Sequence, residues 1–340
     1  MKNAQAHRVK RTRIDLDGVL LLDKPLGLSS NDALMKAKSI VSAAKAGHGG
    51  TLDPLATGLL PIAFGEATKF LHGMLDARKT YLADIKFGVV TSTADREGES
   101  LMIRQVTHTL AQLQLTLSQF TGNIAQIPPM FSALKVDGVP LYKLARQGIE
   151  VERQPRSVTI DSIELVNHDF DSAQIRVTCS KGTYIRTLAQ DIGETLGCGA
   201  HLNGLRREAV FDGQMRFDLQ NAVSLEQLRA AVNANVLNTI LQASDTMIAA
   251  LPSVDLTEEL ASRFCLGQRL RIDDKQSSQT KLPIACEVRV YCGQQLLGLA
   301  NLDNGHLAPK RLIKNAFTPK ISPPLEQTNA PTAAHEAALV

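Results

Sequence analysis

No two cysteines in this 340-residue sequence are spaced as CxxC, and their total of five is odd. Both facts argue against a disulfide framework and against a zinc site. The sequence also lacks a GxGxxG motif after a predicted strand, a P-loop and an HExxH motif. We therefore expect most cysteines in the core or in strands, and no metal or other cofactor in the functional site.

Long apolar runs are absent as well. Apolar runs such as Gly18 to Leu22 are far shorter than the roughly 18 residues needed to cross a bilayer. Residues 1–13 are basic, but neither an apolar stretch nor a small-residue cleavage site follows, so they do not resemble a signal peptide. With 44% hydrophobic and 21% charged residues, the composition is typical of a soluble globular protein, and we expect a cytoplasmic location.

Positive charge is concentrated in two segments. The formal net charge is only +3, yet residues 1–13 contain five Lys/Arg and residues 309–320 contain four, with no acidic residue in either segment. A solvated basic tail would explain either segment alone. A polyanion that contacts both segments explains the pair better, and RNA is the obvious candidate.

The most informative segment is residues 47–58, here called the glycine loop. It contains four glycines, Pro54 and a single carboxylate, Asp53. Glycine permits backbone angles that other residues avoid, and Asp-Pro favours a turn. The pattern therefore predicts a tightly shaped loop that holds one acidic side chain in a fixed place, although an aspartate before proline is by itself more often a turn former.

Hydrophobic periodicity predicts an α+β chain with a boundary near Leu251–Pro252. Before the boundary, the pattern predicts a helix capped by Ser30 or Asn31, a strand over residues 79–90, and a helix that begins at a Ser224 capping box. Beyond it, one short helix precedes several short strands, an order typical of a small β-barrel.

Two further segments differ in composition from their neighbours. Residues 129–156, here called the basic arm, have proline-rich borders and a basic interior, which favours a projecting arm over a core element. Residues 321–340 contain many Pro, Ala and Thr and few large apolar side chains, so we expect disorder there.

Several separate blocks of the sequence resemble those of TruB-type tRNA pseudouridine-55 synthases, in the order in which that family has them. The blocks are DKPLG at 23–27, HGGTLDPLATG at 48–58, KTY at 79–81, PPMFSALK at 128–135, KGTYIR at 181–186 and LRR at 205–207. The resemblance extends from about Gly18 to Ala316. The PPMFSALK block favours TruB over other pseudouridine synthases.

The resemblance implies a pseudouridine synthase fold, with a mixed, mainly antiparallel central sheet flanked by helices and a small C-terminal β-barrel-like PUA domain. The implied organisation is a basic tail at 1–17, a catalytic domain at 18–251 that carries the basic arm, a PUA-like RNA-binding domain at 252–320 and the disordered tail. The implied activity is isomerisation of uridine 55 in the TΨC loop of tRNA.

Three catalytic roles follow from the resemblance. Asp53 corresponds to the family's catalytic aspartate, and Arg186 to the basic residue that pairs with it. Such a pair would keep the carboxylate ionised and oriented. Tyr81 corresponds to the residue that stacks on the target uracil, and it is a candidate base during the rearrangement.

The resemblance also implies contacts with the RNA. His48 would enter the space left by the flipped base. Tyr184 and Leu205 would line the pocket, or else serve as core residues. Lys24 and Lys69 are expected to contact phosphate or the active site, with ordinary surface lysines as the alternative. The implied partner is the TΨC stem-loop, clamped by the basic arm, and we expect a monomer that requires no protein partner and no membrane.

Two other functions compete with this interpretation. A hydrolase with an aspartyl nucleophile lacks support, because no second acid/base carboxylate and no Mg²⁺-binding acidic cluster accompanies Asp53 in the sequence. A non-catalytic tRNA-binding or tRNA-folding chaperone could use the same basic surface and the same His48. The chaperone does not need Asp53, and this difference separates the two functions.

Overall fold

The structure, a computed structural model, describes residues 12–272, 284–314 and 316. The chain divides into two compact units between Leu251 and Pro252. Most of the predicted basic tail and the whole predicted disordered tail lie outside the described residues. Within the described part of the chain, no helix is both long and apolar enough to cross a membrane.

The first unit is built around one large sheet with two small hairpins beside it. Its strands are β1 (Gly18–Lys24), β2 (Ala46–His48), β3 (Ala56–Phe64), β4 (Arg78–Phe87), β5 (Val89–Thr91), β6 (Ser100–Ile103), β7 (Gly122–Gln126), β8 (Lys135–Val136), β9 (Val139–Pro140), β10 (Arg156–Asp169), β11 (Ser172–Cys179), β12 (Ala200–Asp212), β13 (Met215–Asp218) and β14 (Leu241–Gln242).

Short helices connect these strands. The α-helices are α1 (Ser30–Ile40), α2 (Leu110–Gln119), α3 (Leu141–Ala145), α4 (Ile185–Thr195) and α5 (Leu225–Asn233). The 3₁₀ helices are Gly65–Met74, Leu219–Asn221, Leu237–Thr239 and Ser244–Ile248.

The large sheet has the strand order β14-β1-β3-β12-β4-β11-β10-β7, with β2 paired to β3 and β13 paired to β12. Among its described strands only β3 and β12 pair in parallel, and the others pair antiparallel. The predicted α+β class with a mixed, mainly antiparallel sheet is thus confirmed. The β3–β12–β4 centre of the sheet carries the site described below.

Apolar side chains pack in two clusters of the first unit. One joins strands β4, β11 and β12 to helices α2 and α4, with Leu113, Leu188 and Ile192 fully buried. The other joins β1 and β3 to α1 and α5, with Phe64 and Leu228 fully buried. Burial of a side chain of this size stabilises the fold by about 1.5–3 kcal/mol, so the helices are held mainly by packing.

Local signals placed most helix ends well, with one error. The Ser224 capping box is present, since the Ser224 hydroxyl accepts from Gln227 N and the Gln227 side chain accepts from Ser224 N. The predicted cap of α1 at Ser30 or Asn31 is wrong: Ser29 is the N-cap, and its side chain accepts from Asp32 N. Ser30 is buried and bonds elsewhere, as shown below.

Two more details refine the predictions. The expected strand over residues 79–90 is interrupted at Gly88, which has a φ of +85° and separates β4 from β5. The basic arm contains the β8–β9 hairpin and the single-turn helix α3, tied together by hydrogen bonds from Leu141 N to Leu134 O and from Tyr142 N to Ser132 O.

The second unit has its own sheet and its own core. Its elements are β15 (Ser253–Asp255), α6 (Glu258–Cys265), β16 (Leu270–Arg271), β17 (Ala285–Cys292), β18 (Gln295–Asp303) and β19 (His306–Leu312). The strands form one sheet in the order β15-β17-β18-β19-β16, and Val254, Val288 and Phe264 of α6 are fully buried in one core cluster. This arrangement agrees with the predicted small β-domain.

Candidate active site

The glycine loop connects β2 to β3, and hydrogen bonds from Gly27 and Ser30 hold it in place. The Ser30 hydroxyl accepts from Leu52 N at 2.7 Å and donates to Leu52 O at 3.0 Å. Gly27 N donates to Pro54 O at 2.9 Å, and Ala56 N to Asp53 O at 3.0 Å. The residues on both sides of Asp53 are therefore held in place, and the Asp53 side chain projects from an ordered loop.

Two glycines of the loop lie in close packing, and at Gly58 the packing is against backbone. A Cβ at Gly49 would lie 2.6 Å from Met74 Sδ, the flexible end of a side chain on the 3₁₀ helix Gly65–Met74. A Cβ at Gly58 would lie 2.4 Å from Arg207 O, and Gly58 has a φ of +97°. The loop thus lies directly against β12, an approach that only glycine permits.

Asp53 forms an ion pair with Arg186. Arg186 Nη2 lies 2.9 Å from Asp53 Oδ2, and Arg186 Nη1 lies 3.6 Å from Asp95 Oδ2. The Arg186 side chain is only 6% exposed, whereas 44% of the Asp53 side chain is exposed. The guanidinium is therefore buried between two carboxylates, and the Asp53 carboxylate remains open on its outer side.

Arg186 is held in a fixed orientation by backbone as well. Its Nη2 donates to Phe131 O at 2.7 Å and its Nη1 to Thr93 O at 3.2 Å. Phe131 belongs to the basic arm, so the arm's first residues contact the site directly. A planar guanidinium held by Asp53 and two backbone carbonyls has little rotational freedom, which fixes the direction from which it meets Asp53.

The environment of Asp53 shifts its acidity. Although part of the side chain is exposed, burial by the surrounding loops raises the pKa of the Asp53 carboxyl above its ordinary value. The Arg186 charge acts in the opposite direction, the Asp95 charge adds to the rise, and Lys24 again opposes it. Arg186 thus limits the rise in the pKa of Asp53, which would otherwise favour the protonated carboxylic acid.

Tyr81 and Leu205 lie beside the loop on neighbouring strands. Tyr81 on β4 is opposite Arg207 on β12, and Leu205 is opposite Ala83 on β4 and Ala56 on β3. Both side chains are half-buried and pack on the larger core cluster. Burial raises the pKa of the Tyr81 phenol, and the Arg207 charge opposes the rise.

Tyr184 and His48 occupy positions around the same loop. Tyr184 is the N-cap residue of α4, two residues before Arg186, and its N–H donates to Gln126 Oε1 at 3.1 Å. His48 ends β2 opposite Ile62, five residues before Asp53. Burial lowers the pKa of the His48 imidazole and so favours its neutral form.

The two predicted lysines differ in their surroundings. Lys24 is fully buried, and its Nζ donates to Leu28 O at 2.5 Å and Pro25 O at 3.0 Å. Burial lowers the pKa of Lys24 to about 8, with the Asp53 charge opposing this fall. The alternative that Lys24 is a surface lysine is therefore wrong. Lys69 lies on the 3₁₀ helix Gly65–Met74 and pairs with Glu66 at 2.5 Å.

The structure adds two residues that the sequence analysis did not assign to the site. Asp95 is buried, and its Oδ1 accepts from Thr93 Oγ1 at 2.5 Å and from Glu97 N at 3.0 Å. It is a second carboxylate beside Arg186, which the hydrolase argument assumed to be missing. Arg207, in the LRR block, is buried behind Tyr81. Nothing local in the sequence around Asp95 indicated its role.

Profiles of known families match nearly all of the described chain. "TruB family pseudouridylate synthase (N terminal domain)" matches residues 38–185 and "tRNA pseudouridylate synthase B C-terminal domain" matches residues 186–249. "Pseudouridine synthase II TruB, C-terminal" matches residues 252–313. A protein of Cupriavidus metallidurans called tRNA pseudouridine synthase B is 51% identical over 92% of this chain and 100% of its own length.

The chain belongs to the TruB family of pseudouridine synthases. A second relative with the same name, from Burkholderia mallei, is 51% identical over 90% of this chain and 97% of its own. A chain in the crystal structure of a Cbf5–Nop10–Gar1 complex superposes with a TM-score of 0.66 and 24% identity, over 87% of this chain and 84% of that chain. The superposition on that solved structure confirms the pseudouridine synthase fold that the TruB resemblance implied.

Proposed function

We propose that this TruB-family chain converts uridine 55 in the TΨC loop of tRNA to pseudouridine, with Asp53 as the catalytic residue. The observation that supports this most is the Asp53–Arg186 ion pair, which sets one partly exposed carboxylate in an ordered loop against a buried guanidinium. The curated relatives named tRNA pseudouridine synthase B support tRNA as the substrate.

The reaction is an isomerisation. The N1–C1′ bond of the uridine breaks, the freed uracil turns, and C5 joins C1′. C5 loses its proton and N1 gains one, so no electrons are gained or lost and no group is transferred to another molecule. Such chemistry needs a nucleophile or charge stabiliser beside the ribose, and a pocket that retains the freed uracil.

Asp53 is suited to the first requirement. A carboxylate can act beside an anomeric carbon as a nucleophile or as a stabiliser of positive charge, as in glycosidases. Arg186 favours its ionised form and directs the free oxygen outward, because the guanidinium binds Oδ2 from the buried side. Asp95, which is buried, lies on the other side of the Arg186 guanidinium and offsets part of its charge.

Tyr81 and Leu205 are suited to the second requirement. A tyrosine ring can stack on the uracil, and its hydroxyl is a candidate acceptor for the C5 proton. Leu205 and Tyr184 would line the remaining walls of the pocket. Because the target base is stacked in the folded RNA, it must be flipped out, and His48 would fill the space that it leaves.

The rest of the chain would hold the RNA. The basic arm would clamp the TΨC stem-loop through its backbone and shape, and its Phe131 carbonyl links that clamp to Arg186. Lys69 would contact phosphate. The second unit would act as a PUA-like RNA-binding domain. As part of the same proposal, the protein acts as a monomer in the cytoplasm, where tRNA is used, without cofactor or protein partner.

The direct experiment measures tritium released from C5 of labelled uridine in unmodified tRNA transcripts. The expected result is release of one tritium per tRNA, and its loss when uridine 55 is replaced by cytidine. A matched transcript with a different TΨC-loop uridine replaced by cytidine should keep full release. Release that survives replacement of uridine 55 contradicts the position, and no release from any transcript favours the non-catalytic tRNA chaperone.

A further inference from the structure

Arg207 is a fully buried cation at the centre of the large sheet. It is 1% exposed, and it lies opposite Tyr81 on β4 and opposite Gly58 on β3. Irregular register between Leu202 and Gly204, and again between Arg207 and Ala209, interrupts β12 on either side of this position. Bulges of this kind redirect side chains and are frequent next to active sites.

The Arg207 guanidinium bonds both ends of the segment that carries Asp53. Its Nε donates to Leu59 O at 2.7 Å and its Nη1 to Thr51 O at 3.5 Å, the latter a long and weak bond. Thr51 precedes Asp53 by two residues, and Leu59 follows the glycine loop directly. One rigid side chain therefore connects a residue before Asp53 in the loop to the residue that follows the loop.

The loop also packs closely on the Arg207 backbone. A Cβ at Gly58 would lie 2.4 Å from Arg207 O, whereas a Cβ at Gly50 would make only an ordinary contact with Arg207 Nη1, at 3.5 Å. A shift of β12 would therefore move Gly58, and a shift of the guanidinium would act on the loop through its bonds to Thr51 and Leu59. Arg207 and the glycine loop form one packed unit.

The charge of Arg207 has no carboxylate partner among the described residues. None of the described ion pairs includes Arg207, and its Nη2 is buried without a hydrogen-bond partner there. Arg206, its neighbour, pairs with Asp23 instead. Burying an uncompensated cation is costly, so a packing role alone would be better served by an apolar side chain.

Tyr81 is the functional side chain next to this cation. Besides Arg207, the titratable groups that act on the Tyr81 phenol are Cys179 on β11 and Asp53, and both of these disfavour its ionised form. Arg207 is thus the group that favours negative charge on the Tyr81 oxygen. A hydroxyl that takes part in proton transfer benefits from such a neighbour.

We propose that Arg207 is a positioning residue for catalysis, which holds the Asp53 loop and Tyr81 in one geometry and sets the electrostatic environment of the Tyr81 hydroxyl. This inference rests on the proposed roles of Asp53 and Tyr81. It assigns Arg207 no contact with the substrate, because the side chain is closed off from solvent.

The test compares Arg207→Met and Arg207→Lys with Lys79→Met. Lys79 is a matched control, since it is also a buried cation held by backbone carbonyls, with Nζ 2.6 Å from Ala77 O, but its partners lie outside the glycine loop. Each variant is assayed for single-turnover tritium release at saturating tRNA, for tRNA affinity and for thermal unfolding.

Both Arg207 variants should slow the single-turnover rate by about 100-fold, the cost expected for a displacement of catalytic groups by about 1 Å, with tRNA affinity changed less than about threefold. Arg207→Lys keeps the positive charge but lacks the planar guanidinium, so relative to Arg207→Met it should regain more of the thermal stability than of the rate. Lys79→Met should lose stability with a much smaller loss of rate. Equal rate losses in Lys79→Met and Arg207→Met would overturn the proposal.

A second readout does not depend on activity. The chain has four tyrosines and no tryptophan, so protein labelled with 3-fluorotyrosine should give four ¹⁹F resonances, one of them assigned by Tyr81→Phe. Arg207→Lys should move the Tyr81 resonance and leave those of Tyr142 and Tyr291 in place. An unmoved Tyr81 resonance contradicts the inference. A wild-type protein without activity on tRNA contradicts the proposed function instead, and the resonance still tests Arg207.

Discussion

Replacing Ser30 with alanine should loosen the glycine loop without touching any residue that would meet the RNA. The Ser30 side chain is buried, and its hydroxyl bonds both the N–H and the C=O of Leu52, 22 residues away in the sequence. Leu52 immediately precedes Asp53. The substitution therefore removes two buried hydrogen bonds from the residue next to the proposed catalytic carboxylate.

The magnitude follows from those two bonds. Leaving a buried polar group unsatisfied costs about 1–3 kcal/mol, and an unpaired carbonyl is tolerated better than an unpaired N–H. Ser30→Ala should thus lower the free energy of unfolding by about 2–4 kcal/mol. If the loop relaxes to recover its hydrogen bonds, the stability loss becomes smaller but Asp53 moves, and a displacement of about 1 Å costs about 100-fold in rate.

The assay pairs urea unfolding with single-turnover tritium release, and Ser29→Ala is the control. Ser29 is the adjacent serine, and it caps α1 without contacting the glycine loop. Loss of such a cap should cost about 1 kcal/mol and leave the rate unchanged. If Ser30→Ala keeps both its stability and its rate within the range of Ser29→Ala, then the Ser30 hydroxyl does not hold the glycine loop in place.

Three further predictions concern acidity and backbone. Burial raises the pKa of Asp53, and the Arg186 charge opposes this rise. In the pH–rate profile, activity should therefore be lost on the acid side at a higher pH than the pKa of an ordinary aspartate would give, and at a still higher pH in Arg186→Gln. A profile of Arg186→Gln whose acid side is not shifted from that of wild type contradicts this prediction. Burial lowers the pKa of Lys24 to about 8 from an ordinary 10.5, so between these pH values the folded state binds fewer protons than the unfolded state. The Lys24 contribution to the free energy of unfolding therefore rises with pH in that range. Urea unfolding at several pH values between 8 and 10.5 should show that the free energy of unfolding rises less steeply with pH for Lys24→Met than for wild type, and equal dependence on pH would refute the assignment. Gly58→Ala should lower the free energy of unfolding by more than about 2 kcal/mol, because the added Cβ would clash with β12. Gly122→Ala is the control: Gly122 has a φ of +99°, but its Cβ would meet no atom within 4 Å, so this variant should show the backbone strain alone. Equal losses in the two variants would refute the clash.

Much of the fold could be predicted because its signals are local. The Ser224 capping box needs only residues 224 and 227, and the structure contains it. The cap of α1 could not be chosen in the same way, because Ser29, Ser30 and Asn31 are all good cap residues in sequence. A long-range bond from Ser30 to Leu52 decides between them, and no local pattern reports it.

The candidate site depends on contacts of the same long-range kind. The ion pair between Asp53 and Arg186 joins residues far apart in sequence, so only the resemblance to a family predicted it. Asp95 was missed, since an aspartate in a short polar turn is usually exposed. The resemblance implied that Lys24 contacts phosphate or the active site, with an ordinary surface lysine as the alternative. Lysine is almost never fully buried, so the burial of Lys24 and its bonds to the Pro25 and Leu28 carbonyls could not be foreseen from the sequence.

Under the proposed function, the Asp53 carboxylate is essential for the chemistry but not for the binding of tRNA. The most direct measurement is the single-turnover yield of pseudouridine from unmodified tRNA with Asp53→Asn in excess, beside tRNA affinity for the same protein. We predict no product and an affinity within about threefold of wild type, since the substitution keeps the size of the side chain and removes only its charge and one acceptor oxygen. Asp53→Ala, which cannot revert by deamidation, should behave alike. Appreciable product from either purified variant would contradict the account.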